Sequence, residues 1–120
     1  DFVEFPADHG VLAQNLNTMQ LKRLELARAL AGDCRFLFLD EVAAGLTPAE
    51  LVDITALIRR IRDRGVSILI VEHLMKLIMD VCDQIAVLNF GVKIADGPPT
   101  AITADEAVCE AYLGAQAKLH

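Results

Sequence analysis

A chain of 120 residues makes one modest domain with room for a real core. Apolar residues make up 54% and aromatics 5%, with no Trp, a profile that suits an aliphatic α/β core and argues against a disordered tail. The net charge of −6 and a pI near 4.9 argue against nucleic acid as a partner, and the mean hydropathy of +0.41 calls either for strands buried on both faces or for apolar faces that await a partner.

Residues 1–16 carry little periodicity and read as a helix end and a loop through Pro6 and Gly10. A helix is predicted from Thr18 to Ala31, with Leu24, Ala27, Leu30 and Ala31 on one face, Asn17 or Thr18 as its cap and Gly32 as its stop. Arg35 to Asp40 is a short, continuously apolar run closed by an acid, the pattern of a strand buried on both faces of a parallel sheet. Thr47-Pro-Ala-Glu50 is a capping box with Pro at the first helical position. It opens a helix whose stripe Leu51, Ile54, Ile58 and Ile61 runs to Gly65.

Val66 to Val71 is a second buried strand, ending in Glu72-His73, and a short helix covers Leu74 to Cys82. Gln84 to Asn89 is a third strand, turned by Phe90-Gly91 into a hairpin partner, Val92 to Ala95. Asp96-Gly-Pro-Pro99 breaks structure, and Thr103-x-x-Glu106 caps a last helix that ends at Gly114. Strands alternating with helices predict a doubly wound α/β layer.

The basic clusters, Lys22-Arg23 and Arg59, Arg60, Arg62 and Arg64, fall in helical patterns and read as solvated helix faces. Cys34, Cys82 and Cys109 are odd in number and lack C-x-x-C spacing, which speaks for free thiols in a reducing compartment. No apolar run approaches the ~20 residues of a bilayer span. The opening Asp-Phe-Val-Glu-Phe is no signal peptide, and the missing initiator Met fits a trimmed or incomplete sequence.

Chemistry concentrates at two strand ends. In open α/β sheets ligands bind beyond the carboxyl ends of the strands. Asp40-Glu41 stands at one such end, where two acids can hold a cation and polarise a water, or simply favour a helix N-terminus. His73 stands at the next, where a lone His is ordinarily structural. Two parallel strands that end in Asp-Glu and Glu-His converge on one crevice, which favours a joint functional role.

Four motifs in order then resemble those of the ABC ATPases. Leu16-Asn-Thr-Met-Gln20 and the helix after it are similar to the signature, Phe36-Leu-Phe-Leu-Asp-Glu41 to Walker B, Ala44-Gly-Leu-Thr47 to the D-loop, and Ile70-Val-Glu-His73 to the switch-histidine segment. The tail, Ile85 to Pro99 with Glu110-Ala-Tyr-Leu-Gly114, looks most like the branched-chain amino-acid uptake subunits. The resemblance implies a partial RecA-like (P-loop NTPase) layer, a mostly parallel sheet with flanking helices that lacks the P-loop strand. Residues 1–17 would be a remnant of the helical subdomain and the signature approach, and residues 18–120 the C-terminal half of the core.

It implies roles as well: Asp40 orders Mg²⁺ through water, Glu41 is the general base, and His73 contacts the γ-phosphate. Asn17, Thr18, Met19 and Gln20 sit over ATP held by an opposite subunit, and Ala44, Gly45, Leu46 and Thr47 lie across the dimer interface. Implied partners are a second ATPase subunit and membrane permease subunits, in the cytoplasm at the inner face of the plasma membrane. Two departures stand out: Asn17-Thr-Met19 lacks the usual signature glycines, and Val42 replaces a common Pro. A graver one is that no G-x-x-x-x-G-K-[ST] occurs, since none of the four lysines follows a glycine. Hence this chain alone is expected to bind ATP and Mg²⁺ weakly, to lack ATPase activity, and to self-associate across the gap left by the P-loop strand. The rival expectation is a non-catalytic α/β fragment or interaction module. A DNA-repair type would carry insertions within residues 20–90, and a receiver domain built on Asp40 would need acids on an earlier strand; the sequence has neither.

Overall fold

The computed structural model describes residues 3, 10 and 16–113. Apart from Val3, Gly10 and Leu16, the helix end and loop expected over residues 1–16 lie outside the described residues, as does the helix stop at Gly114. The chain divides into two compact units, residues 1–77 and 78–120.

The first unit contains α1 (Thr18–Ala31), β1 (Phe36–Asp40), α2 (Pro48–Asp63), β2 (Ser67–Val71) and the start of α3 (Met75–Val81). Asn17 caps α1 through a reciprocal box, its Oδ1 accepting from Gln20 N while Gln20 Oε1 accepts from Asn17 N, both at 2.9 Å. The buried stripe of α1 is Met19, Arg23 and Leu26, not the expected Leu24, Ala27, Leu30 and Ala31. Arg23, read as part of a solvated face, is 7% exposed, and its Nη1 donates to the carbonyl of Val3. An arginine can be buried in this way when its guanidinium finds an acceptor and its methylenes pack.

The α2 helix forms as the sequence predicts. Thr47 Oγ1 accepts from Glu50 N, Glu50 Oε2 accepts from Thr47 N, and Pro48 opens the helix where its missing N–H costs nothing. Ile54, Leu57, Ile58 and Ile61 are each no more than 2% exposed. Arg64 caps the end, and Gly65 takes the left-handed φ of 91° that lets the chain turn into β2.

β1 and β2 pair in parallel, with Phe36 opposite Ser67 and Asp40 opposite Val71. Burial on both faces, the expectation for these runs, does not occur. Leu37 and Leu39 are buried, but Phe36 and Phe38 on the other face are 60% and 57% exposed, and Leu69 and Val71 about half. Continuous apolarity here marks a sheet with one face covered and the other open, so apolar faces awaiting a partner explain the high hydropathy.

The second unit holds the rest of α3, then β3 (Ile85–Asn89), β4 (Val92–Gly97), α4 (Pro99–Ala104) and α5 (Glu106–Val108), which runs on as a π-helical turn, Cys109–Leu113. β3 and β4 form the expected antiparallel hairpin, with a bulge at Val87/Leu88 and a turn in which Phe90 and Gly91 both have positive φ. β4 packs on α4 and α5. A methyl group added to Gly97 would stand 3.3 Å from Ala101 Cβ, so glycine permits this close approach. Pro98 and Pro99 start α4 rather than merely breaking structure. Thr103, expected to cap the last helix, lies inside α4 and donates back to Pro99 O. Asp105 is the cap, accepting from Val108 N at 3.1 Å. Ile102 and Val108 are buried at its core, and the Tyr112 hydroxyl donates to Leu88 O.

Candidate functional site

Strand alternation sets the position of each acid. Along β1, Phe36, Phe38 and Asp40 share the exposed face, so an extended residue 41 would aim its carboxylate at the buried side with Leu37 and Leu39. Glu41 instead adopts φ 49°, the left-handed conformation that is uncommon outside glycine. It stays exposed, its N–H donates to Val71 O at 2.8 Å, and Val42 takes the buried place, 7% exposed. Both carboxylates therefore stand in solvent at the end of the parallel pair. Asp40 also borders a small cleft of about 160 Å³ that Lys22, Glu25 and Val42 help to line.

The chain then folds back in two reverse turns, Ala44 N donating to Glu41 O at 3.2 Å and Leu46 N to Ala43 O at 3.3 Å. Gly45 completes them at φ 76°, and a methyl group on it would lie 3.5 Å from Thr18 Cγ2. The structure thus brings Ala44–Thr47 beside the start of α1. At that start, the side chains of Asn17 and Gln20 are engaged in the cap and Met19 is buried, whereas Thr18 is exposed.

At the end of β2 the His73 side chain is 75% exposed, and that of Glu72 is 1% exposed. Glu72 Oε1 accepts from His73 N at 3.0 Å and Leu74 N at 3.4 Å, and Oε2 accepts from Ala43 N at 3.2 Å. His73 Nδ1 lies 3.4 Å from Glu72 Oε1. Sequence reasoning noticed Glu72 only as the neighbour of His73; its signal was a carboxylate immediately after an apolar strand, where burial demands partners. A cleft of about 760 Å³, lined by Ala27, Leu30, Cys34 and Arg64 among others, shares no residue with this site.

Among the described residues, no three His, Cys, Asp or Glu side chains cluster as metal ligands. Magnesium keeps several of its waters when it binds together with phosphate oxygens, so the exposed carboxylate of Asp40 has the chemistry to hold a Mg²⁺–nucleotide through one of those waters.

A family profile described as "Branched-chain amino acid ATP-binding cassette transporter" matches residues 92–118. The branched-chain amino acid transport ATP-binding protein BraF of Pseudomonas aeruginosa is 47% identical over 96 residues, 79% of this chain and 38% of BraF. The lipopolysaccharide export ATP-binding protein LptB of Escherichia coli is 37% identical over 118 residues, 97% of this chain and 49% of LptB. A solved ATP-binding cassette of an ABC transporter, MJ1267, superposes with a TM-score of 0.82 at 27% identity, over 92% of this chain and 46% of that one. The chain corresponds to the C-terminal half of an ABC-type ATP-binding subunit. It spans half or less of the length of these relatives. Its fold is that of the P-loop NTPase cassettes. As an ABC-type chain it has no helix, among the described residues, long and apolar enough to cross a membrane. Cys34, Cys82 and Cys109 form no disulfide and are half-buried.

Proposed function

We propose that residues 18–120 supply the C-terminal half of an ATP-hydrolysing subunit that powers solute import, with residues 1–17 leading into its signature segment. The observation that carries this reading is the parallel register of β1 and β2, which sets Asp40-Glu41 beside Glu72-His73 at one sheet edge. Bound Mg²⁺–ATP supplies the phosphoryl group and the charge to be neutralised. Asp40 holds Mg²⁺ through water, Glu41 takes the proton of the attacking water, and His73 hydrogen-bonds the γ-phosphate. Thr18 and the run Ala44 to Thr47 face a second ATPase subunit, and the exposure of Thr18, Ala44, Gly45 and Thr47 supports that placement. Asn17 and Gln20 flank it through the helix cap, whereas the buried Met19 points into the core and is withdrawn from that surface. The complete transporter would add permease subunits, with this subunit on the cytoplasmic side of the plasma membrane.

Branched-chain amino acids are the favoured solute class over lipopolysaccharide. The profile over residues 92–118 and the 47% identity to BraF support this choice. A second reading, a non-catalytic α/β module, is favoured by one observation: the sequence has no G-x-x-x-x-G-K-[ST]. Both readings expect no turnover from this chain alone, so they are separated in the complete subunit, where only the catalytic reading expects ATP hydrolysis that depends on Glu41.

The test of the catalytic reading is Glu41→Gln in the complete subunit, a change that keeps shape and removes the proton acceptor. We expect ATP to bind as before and turnover to fall roughly 10²- to 10⁴-fold, the usual worth of a general base. Turnover at the wild-type rate sinks the assignment.

A further inference from the structure

We propose that Glu72 is a positioning residue that holds the switch-histidine segment and the D-loop turn in one fixed arrangement. This deepens the catalytic reading above and rests on it for its functional half.

The physical argument begins with burial. A carboxylate that is 1% exposed must have its lone pairs occupied. Glu72 fills them with backbone amides from two loops: His73 N and Leu74 N on one oxygen, and Ala43 N, 29 residues away in sequence, on the other. Bonds of an ionised acceptor to N–H groups are among the stronger hydrogen bonds of proteins. Ala43 is a sensitive point to hold. Its carbonyl accepts from Leu46 N, and the preceding turn is closed by Ala44 N on Glu41 O, so fixing Ala43 fixes the whole run from Glu41 to Leu46. His73 is aimed from the same oxygen, by its own N–H. One buried carboxylate thus sets the base-bearing turn and the histidine relative to each other, while its own side chain stays withdrawn from solvent. On the catalytic reading, a shift of either loop at its phosphate contacts or at the dimer interface passes through Glu72 to the other.

Two substitutions in the complete subunit test this. Glu72→Gln keeps the volume but has a single acceptor oxygen, so an NH₂ group would face an N–H on one side. Glu72→Asp keeps the charge and shortens the reach by one methylene. Hydrogen exchange over residues 42–46 is expected to speed up about tenfold in both, the usual order for loss of one charge-assisted hydrogen bond. The rate constant kcat should fall by a similar factor with KM unchanged, because the bond orients catalytic groups and does not itself touch ATP. Exchange that is unchanged in both variants overturns the proposal. Faster exchange with unchanged kcat, in a subunit that Glu41→Gln inactivates, overturns its functional half. If Glu41→Gln has no effect the catalytic reading itself fails, and exchange alone still decides whether Glu72 joins the two loops.

Discussion

Replacing Phe38 by Thr should weaken self-association of this chain without destabilising its fold. Phe38 is 57% exposed on the open face of β1, beside Phe36 at 60%. A buried aromatic hides about 150–250 Å², so Phe38 presents roughly 110 Å² to water. At about 25 cal/mol per Å² that is about 3 kcal/mol per chain available to any surface that covers it. In a two-fold pair both copies contribute, about 6 kcal/mol, of which ordering and imperfect packing leave about half visible as affinity, near 3 kcal/mol. The variant should then associate roughly 100-fold more weakly. Threonine, being β-branched, keeps a preference for the strand comparable to that of the aromatic it replaces, and since the lost area was already in water, stability should change by less than about 0.5 kcal/mol. Sedimentation equilibrium across the micromolar range reads the first quantity and urea unfolding the second. A wild-type chain that stays monomeric there and unfolds cooperatively refutes the reasoning, as does a variant that associates as tightly as its parent.

Leu57→Ala, at a position that is 0% exposed, should cost about 2–5 kcal/mol in urea unfolding; a loss under about 1 kcal/mol would mean that α2 does not anchor the core. Asp96 is held below its ordinary carboxyl value of 3.8, first by a hydrogen bond from Gln84 and then by Lys93. Its folded value being depressed, the stability it lends is present above 3.8 and is lost as pH falls through the lowered value. Gln84→Ala should therefore move the Asp96 titration, followed by NMR, upward toward 3.8, and an unmoved titration would remove Gln84 as the main cause.

Local signals were the most legible in the sequence. The Thr47–Glu50 box fixed the start of α2, and the run from Thr18 to Ala31 matched α1 at both ends. What depended on tertiary context was not legible. Arg23 hid the true stripe of α1, because a charge on a helix ordinarily marks the solvent side and only an acceptor, Val3 O, makes its burial tolerable. The apolar run of β1 could not say whether both faces were covered, since that is decided by what packs on Phe36 and Phe38 and not by their own chemistry. Near the C-terminus two caps competed, and Asp105 won over Thr103 because α4, started by the two prolines, already contained Thr103. Of the candidate site, the strand-end acids and His73 could be read directly. Glu72 could not be assigned a role, because its partners are backbone amides that leave no mark in a sequence.

The left-handed backbone at Glu41 bears on how sequence drift at this position should be read. A β-branched side chain there would crowd the neighbouring peptide, while Gly, Asn and Asp enter that conformation with the least strain. The set of residues compatible with folding is therefore narrow at 41 before any chemistry is considered, and Glu is not among its easiest members. Glu at this position carries a conformational cost of a kind that clusters at functional sites. On the catalytic reading, a copy released from hydrolysis would be drawn toward Gly or Asn at position 41, a replacement that relieves the backbone and removes the proposed base.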